Sequence, residues 1–321
     1  FAATNLALSM GDSSEDMAAL PLYQHAYRKD GRGVRGANVS NAAQPETLSS
    51  AVDPLSRPGA PAAQPAQGRT VHHCVAFRRV QKPARRHSAP MTYVLHYAPD
   101  NASLIIRAAL EHIRVPYRST LVDRAAGAQR APSYLALNPN GLIPVLETPH
   151  GPLFETGAIL LWLGDMHGGL GPAPADPARG DYLKWLFFSA NTLHPALRIM
   201  FYTDKYIAAG ATNTLREGMR RQITAALGQL DAVAATRPPC LGASSPTALD
   251  FYIAGCLRWC ALYPADADRS WFDLAQYPAL GALCRHLETL PCTAALQAAE
   301  GLGDTPFSAP DYANPPEGSP T

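Results

Sequence analysis

The hydrophobic positions between residues 91 and 168 change repeatedly from strand-like to helix-like spacing. The segment 91–97 (MTYVLHY) predicts a buried first strand, 103–113 carries apolar residues at helical spacing, and 117–122 is rich in β-forming residues. A short helix is predicted near 132–137, before a two-stranded hairpin and a final helix. This order of strands and helices predicts a mixed α/β domain over about 91–168.

Beyond a Gly/Pro-rich linker at 168–179 the strand pattern disappears and helical spacing remains. Thr247 and Asp250 form a capping-box sequence before an apolar run, which predicts a helix start. His194-Pro195 interrupts a long apolar segment, where proline is expected to kink the helix. An all-helical domain is therefore predicted over about 178–300. Its segments are 181–205, 215–235, a helix that follows Thr247, 278–287 and 292–299, and a proline-rich tail covers 301–321.

The first 90 residues are rich in Ala, Pro, Ser, Gly, Gln and Arg and show no lasting apolar periodicity. Such a composition cannot bury enough apolar surface to offset the entropy of ordering, so residues 1–90 are predicted to be a disordered extension. Because the sequence begins with Phe1, a misassigned start is one explanation for this segment. The alternative is a basic targeting arm, formed by Arg78, Arg79, Lys82, Arg85 and Arg86.

Residues 137–165 combine a dense turn, a proline-containing strand, a hairpin and a helix start within a short stretch. Pro144 lies in the middle of the first of these strands, and a proline there belongs at a sheet edge or in a cis peptide bond. Glu155 and Thr156 then open an apolar helix. A carboxylate and a hydroxyl at a helix N-terminus either cap the helix or hold the charged end of a ligand.

This stretch resembles the second half of the thioredoxin-like domain of the glutathione S-transferase superfamily. The resemblance extends from about residue 91 to the tail. It implies a cytosolic, bacterial-type member of the α+β fold class, with an N-terminal thioredoxin-like domain followed by an all-α helical bundle. One departure is Gly157, between the hydroxyl residue and the alanine of the motif. The matching residues are Asn138, Pro139, Gly141, Ile143, Pro144, Glu155, Thr156, Ala158, Ile159 and Leu160.

The resemblance also implies where glutathione binds. The backbone of Ile143, beside a cis Pro144, is expected to pair with the cysteine of glutathione as an added strand. Glu155 and Thr156 are expected to bind the amine and carboxylate of the γ-glutamyl group. The alternative is that Glu155 and Thr156 are plain N-cap residues of the helix.

A glutathione transferase must also hold the sulfur of its co-substrate as a thiolate. Lowering a thiol pKa from near 8.5 by about two units requires roughly 2.7 kcal/mol, which hydrogen bonds and a helix N-terminus can supply. The donor is expected where the first strand meets the first helix, with Asn101 first, Ser103 second and Tyr97 third. Asp100 is expected to cap the helix, and the alternative for Asn101 and Ser103 is capping as well. A bacterial class carries its catalytic cysteine at the position of Ala102, so a cysteine mechanism is excluded.

The second substrate, a small hydrophobic electrophile, is expected between the two domains. Most aromatic residues of the first long helix should be core, so only one or two of them are expected to line the pocket. His194 is interpreted as a structural histidine at the kink, and Arg198 either attracts an acidic co-substrate or pairs with a carboxylate. The candidates are Tyr182, Trp185, Phe188, His194, Arg198, Phe201 and Tyr202.

Composition adds limits to this interpretation. The 27 Lys and Arg residues nearly balance the 26 Asp and Glu residues, which argues against a dedicated nucleic-acid binder. The six cysteines show no C-x-x-C pair and no metal-ligand spacing, so they are predicted to be buried thiols and no metal is expected. No apolar run is long enough to predict a membrane helix, and the cytoplasm is expected. On the first helix, Arg107 and Glu111 are predicted to form an exposed i,i+4 pair.

Three functions are left open by these patterns. The first is a homodimeric transferase that joins glutathione to an electrophile or reduces a disulfide with it, as in detoxification. The second is a glutathione-dependent isomerase or dehalogenase on the same scaffold. The third is a transferase-like protein-interaction or stress-response module without turnover, and the absence of Ser, Cys or Tyr at the position of Asn101 keeps this alternative open.

Overall fold

The computed structural model describes residues 93–320, so the predicted disordered extension at 1–90 lies outside the described residues. Its α/β part contains a four-stranded sheet with the order β2-β1-β3-β4. β2 is parallel to β1, whereas β3 is antiparallel to both β1 and β4. Leu95 of β1 lies opposite Leu146 of β3, and both are fully buried. The strands are β1 (Tyr93–Tyr97), β2 (Tyr117–Leu121), β3 (Val145–Thr148) and β4 (Gly151–Phe154).

Three helices accompany this sheet, namely α1 (Ser103–His112), α2 (Pro132–Leu135) and α3 (Thr156–His167). This α/β part followed by helices confirms the predicted thioredoxin-like fold class.

The first helix is more deeply buried than its sequence predicted. α1 packs against α3 and against two helices from the C-terminal part of the chain, α7 (Ala248–Leu262) and α9 (Pro291–Glu300). Arg107 is consequently buried, and its Nε donates to Glu300 Oε1 at 2.8 Å rather than pairing with Glu111. The predicted exposed pair is therefore wrong, because α9 covers the side of α1 that carries Arg107.

The remainder of the described chain contains helices and irregular segments. Ser189–Leu193 forms a π-helical turn directly before His194-Pro195, which confirms an interruption of the long helix at this point. At Thr247 both hydrogen bonds of the predicted capping box are present. The helices not yet named are α4 (Arg179–Phe188), α5 (His194–Phe201), α6 (Thr212–Ala235) and α8 (Pro278–Glu288). Within residues 93–320, no helix is long and apolar enough to cross a membrane.

The proline-rich tail is packed onto the helices although residues 301–320 form neither helix nor strand. Leu302 and Phe307 are buried, and the side chain of Glu288 accepts hydrogen bonds from the backbone of Phe307 and Ser308. The tail therefore contributes to the core of the helical part. The five described cysteines are buried free thiols as predicted, whereas Cys74 lies outside the described residues.

Candidate active site

A cavity of about 770 Å³ lies between the α/β part and the helical part of the described chain. The segment directly before α1, the segment after β2, the turn before β3 and the start of α3 line one side. The helices α4, α5 and α7 line the other side. Because β1 and β2 are parallel, the residues that follow both strands reach the same edge of the sheet. This arrangement brings the predicted glutathione-binding residues together.

Glu155 and Thr156 lie where β4 joins α3, and both line the cavity. Glu155 precedes the helix with φ 70° and ψ 114°, a sparsely populated backbone conformation for a residue with a side chain. Its carboxylate does not cap α3, and it makes no hydrogen bond or ion pair with any other side chain or amide of residues 93–320. The carboxylate is therefore available to a ligand, which disfavours the plain N-cap interpretation.

The turn before β3 holds Ile143 and Pro144 against the cavity. The peptide bond between them is cis, as predicted. The side chains of Tyr134 and Asn138 both donate to the carbonyl oxygen of Leu142, each at 2.8 Å, and so fix the backbone just before Ile143. Asn138 of the N-P-x-G turn therefore positions the segment that borders the cavity, through its hydrogen bond to the carbonyl of Leu142.

Of the three thiolate-donor candidates, Asn101 lines the cavity whereas Ser103 and Tyr97 do not. The hydroxyl of Ser103 is buried and donates to the carbonyl of Ala98 at 3.0 Å. The hydroxyl of Tyr97 donates to Glu317 in the tail, and burial raises its pKa. These local partners remove Ser103 and Tyr97 from the ligand side of the site.

The side-chain amide of Asn101 has a defined orientation. Its Oδ1 accepts a hydrogen bond of 2.8 Å from the backbone nitrogen of Ala102, which can only donate. The Nδ2 group is therefore the other end of the amide, and no residue in 93–320 accepts a hydrogen bond from it. Asn101 consequently presents donors to the cavity.

The carboxylate of Asp100, which was expected to cap α1, is occupied by a buried arginine. Nε and Nη2 of Arg258, on α7, each donate to one oxygen of Asp100 at 2.8 Å. Trp259 Nε1 and the Tyr263 hydroxyl donate to the same carboxylate, at 3.2 and 2.8 Å. Arg258 is fully buried, so its charge needs a buried carboxylate as partner.

The first long helix reaches the cavity through four of the seven candidates. Phe201 and Tyr202 line it, in agreement with the expectation of one or two aromatic residues, and His194 and Arg198 line it as well. All four follow the π-helical turn Ser189–Leu193 in the chain. The other three candidates do not line it; they are Tyr182, Trp185 and Phe188.

His194 has the surroundings of a structural histidine. Its Nδ1 lies 2.9 Å from the hydroxyl of Tyr252, and its ring packs against Tyr252 and Trp259. Burial, together with the nearby charge of Arg198, lowers the pKa of His194 to about 4. The ring is therefore neutral at neutral pH and a weak base.

Three basic residues of the cavity, Arg124, Arg130 and Lys205, were missed by the sequence reasoning. Arg124 follows β2, and the parallel pairing of β1 with β2 brings it to the sheet edge that also holds Asn101. The predicted parallel pairing of the two strands could therefore have identified Arg124 as a cavity residue. Lys205 lies after α5 in a short 3₁₀ turn, and no pattern in the sequence singles it out.

Comparisons with known proteins agree with this geometry. The sequence models for the N-terminal and C-terminal domains of glutathione S-transferase match residues 90–165 and 213–286. A glutathione S-transferase of Xanthomonas campestris pv. campestris is 30% identical over 212 residues, covering 65% of this chain and 98% of that protein. A maleylacetoacetate isomerase of Rhizobium meliloti is 32% identical over 200 residues, covering 60% and 90%. A sphingomonad glutathione S-transferase solved with glutathione superimposes with a TM-score of 0.54 at 27% identity, covering 65% and 100%.

Proposed function

The chain belongs to the glutathione S-transferase superfamily, and from this premise we propose that it binds glutathione in the cavity and uses it as a thiolate nucleophile. The sulfur attacks an electrophilic carbon, a carbon–sulfur bond forms, and the leaving group departs with its electron pair. The proton of the thiol passes to solvent. In this reading the protein is a glutathione transferase in which glutathione is a co-substrate.

The observation that carries this proposal is the carboxylate of Glu155. It borders the cavity at the N-terminus of α3 and makes no hydrogen bond or ion pair with side chains of residues 93–320. The γ-glutamyl end of glutathione offers an ammonium group to Glu155 and a carboxylate to the helix N-terminus beside Thr156. Charge-assisted hydrogen bonds of this kind contribute about 1.5–3 kcal/mol each.

The cysteine of glutathione is expected to lie along the backbone of Ile143 and Pro144 and to direct its sulfur toward Asn101. The Nδ2 group of Asn101 would donate to the thiolate, and the N-terminal dipole of α1 would add to this stabilisation. An amide carries no net charge, so the activation should be weaker than that given by a cationic donor.

We propose in addition that the protein works as a cytoplasmic homodimer in the detoxification of electrophiles. Met166 on α3 is a large apolar side chain that is exposed in the single chain, and so is Phe187 on α4, which also borders the cavity. We place the partner interface on these two helices, because exposed apolar residues favour contact with another chain. Light scattering at micromolar concentration should give twice the mass of the chain, and a fully active monomer would contradict the dimer.

Isothermal titration with glutathione tests the proposed function directly. We expect saturable binding, weakened in Glu155→Gln, together with conjugation of 1-chloro-2,4-dinitrobenzene by the wild-type protein. If glutathione binds but none of three substrates is turned over, the protein is better explained as a non-catalytic module. These substrates are 1-chloro-2,4-dinitrobenzene, a mixed disulfide and a cis-dienoic acid. No glutathione binding would refute the proposal. Turnover confined to the cis-dienoic acid would favour the isomerase alternative.

A further inference from the structure

Three cationic side chains of the cavity converge on the ring of Tyr202. Arg124 Nη2 donates to the Tyr202 hydroxyl at 2.9 Å, and Lys205 Nζ lies 4.2 Å from the centre of the ring. The guanidinium carbon of Arg198 lies 5.8 Å from the same centre. We call Arg124, Arg198 and Lys205 the cationic group. They come from the segment after β2, from α5 and from the turn after α5, so the fold itself assembles them.

Among the residues that the structure describes, the cationic group has no carboxylate partner. Within residues 93–320 none of its three members forms a salt bridge, although seven such bridges occur there. The hydrogen-bond partners of Arg124 and Arg198 are the hydroxyls of Tyr202 and Tyr206 rather than carboxylates. Like charges held close together without a counter-ion repel each other and favour a bound anion.

The pKa of Lys205 is consistent with this repulsion. Burial lowers it first, and the charges of Arg198, Arg124 and Arg130 lower it further. Asp204 acts in the opposite direction but does not reverse the shift. The ammonium group of Lys205 therefore lies in a positive field that its own neighbour in sequence does not neutralise.

Glutathione alone does not balance this charge. The cavity is lined by four cations, the cationic group and Arg130, and by the carboxylates of Asp100 and Glu155. Arg258 already pairs with Asp100, which leaves a surplus of three positive charges. Bound glutathione thiolate has two carboxylates, one ammonium and one sulfur anion, hence a net charge of minus two. One positive charge therefore stays unmatched when the co-substrate is bound.

We infer that the second substrate is an electrophile carrying a carboxylate, and that the cationic group binds this carboxylate. This inference rests on the proposed function, and it replaces the expected small hydrophobic electrophile with an anionic one. The planar guanidinium of an arginine matches a carboxylate in shape and donates to both of its oxygens. The apolar side chains of Leu161 and Phe201 line the same cavity and suit the uncharged remainder of the molecule.

A matched pair of electrophiles tests the inference. One is 4-chloro-3,5-dinitrobenzoate and the other is the corresponding carboxamide, which has the same shape without the charge. In both, the glutathione sulfur forms a bond to the carbon that bears chlorine, and chloride leaves with the bonding electrons. After correction for the uncatalysed rates, kcat/KM should favour the carboxylate by about tenfold or more, and the preference should shrink at high salt.

The affinities of the two finished glutathione conjugates give a second readout that does not depend on turnover. Titration calorimetry should show the same preference for the carboxylate conjugate. In Arg198→Met and in Lys205→Met, the ratio of the affinities of the carboxylate and carboxamide conjugates should fall by up to about tenfold. Arg198→Lys and Lys205→Arg should restore part of it.

Arg221→Met is the matched control. It removes a cation whose side chain is 71% exposed and paired with Glu217 on the surface of α6, away from the cavity. We expect it to keep the full carboxylate preference. A fall of the preference in Arg221→Met equal to that in Arg198→Met would overturn the inference, because a general loss of positive charge would then explain both.

Two further outcomes would also overturn it. If glutathione binds but neither turnover nor conjugate affinity distinguishes carboxylate from carboxamide, the second substrate is not anionic and the proposed function still stands. If Arg198→Met and Lys205→Met weaken glutathione itself as much as they weaken the carboxylate conjugate, the cationic group binds the glycine carboxylate of glutathione. Absence of glutathione binding refutes the proposed function and this inference with it.

Discussion

Two acidic residues at the same cavity, Asp100 and Glu155, have similar positions and opposite surroundings. Each lies close to the start of a helix, each has a positive φ (51° and 70°), and each lines the cavity. Asp100 is 1% exposed and accepts hydrogen bonds from Arg258, Trp259 and Tyr263. The carboxylate of Glu155 has no such partner among residues 93–320.

Because of this difference, the carboxylate of Asp100 stabilises the fold, whereas the carboxylate of Glu155 is available to a ligand. A buried ion pair needs its own partners satisfied within the fold, whereas a binding carboxylate must be left without them until the ligand arrives. The identity of the residue and its place before a helix do not distinguish the two cases. What distinguishes them is whether a distant helix, here α7 with Arg258, supplies the counter-charge.

The largest effect is expected from Asp100→Asn. Asparagine tolerates the positive φ, so the substitution changes charge rather than backbone, and it leaves the buried guanidinium of Arg258 without its carboxylate. We expect the free energy of unfolding, measured with urea, to fall by about 3–5 kcal/mol.

The double variant Asp100→Asn, Arg258→Met is the control for this prediction. Removing both charges should cost less than the sum of the two single substitutions, because neither charge is then left alone. Additive losses, or a loss below about 1 kcal/mol in Asp100→Asn, would contradict the structural role of this pair.

His194 is a titratable residue close to the partners of Asp100. The centre of its ring lies 5.3 Å from that of Trp259, and Trp259 donates a hydrogen bond to Asp100. Its pKa is lowered from 6.5 to about 4, so between these values the unfolded chain binds more protons than the folded one. The stability associated with neutral His194 is present above pH 6.5 and is lost as the pH falls to 4. We expect this loss to reach about 3 kcal/mol.

Urea unfolding at several pH values between 4 and 7.5 measures this contribution. His194→Asn should flatten the pH dependence, whatever its effect on stability at neutral pH. His150→Asn, an exposed histidine in the β3–β4 hairpin, should leave the slope as in the wild type. An unchanged slope in His194→Asn would show that the ring is not kept neutral by the fold.

Glu155→Gln is the counterpart of Asp100→Asn, because it also replaces a carboxylate by an amide of the same shape. We expect glutathione affinity to fall by about 1.5–3 kcal/mol, since the ammonium of the ligand loses its charged partner. The free energy of unfolding should change by less than about 0.5 kcal/mol. Unchanged affinity combined with a lower stability would make Glu155 a plain cap, and the comparison with Asp100 would then fail.

Local patterns were sufficient to predict much of the fold. Alternation and helical spacing located the strands and helices, and the capping box at Thr247 and the cis bond before Pro144 followed from short sequence signals. These features depend on residues within a few positions of one another. The bounds differed by a few residues, and β3 begins at Val145, after Pro144, rather than containing it.

The candidate site was less predictable, because its decisive contacts join distant parts of the chain. Arg258 and Asp100 are 158 positions apart, and the partner of Arg107 is Glu300 on the last helix. No periodicity in the sequence reports such pairs. The same limit applies to the cationic group, whose members meet only when the segment after β2 is brought next to the end of α5.

The smallest expected effect concerns Asn101, which lies directly after Asp100 and shares the start of α1 with it. The Asp100–Arg258 pair fixes the backbone at this point, and the Oδ1 of Asn101 is bonded to the nitrogen of Ala102, so Nδ2 can donate to a thiolate. Asn101→Ala should therefore raise the apparent pKa of bound glutathione by up to about one unit, near 1.4 kcal/mol. The ultraviolet absorbance of the thiolate, followed against pH in the saturated complex, measures this shift.

Two matched variants decide how the thiolate is stabilised. Asn101→Asp should raise the thiol pKa further than Asn101→Ala, because it puts a negative charge where the amide donated. Ser103→Ala should leave the thiol pKa unchanged, since its hydroxyl is bonded to the backbone of Ala98 away from the cavity. A shift in Ser103→Ala with none in Asn101→Ala would reassign the donor to Ser103. If none of the three moves the pKa, the backbone amides at the start of α1 stabilise the thiolate, and Asn101 has no part in the activation.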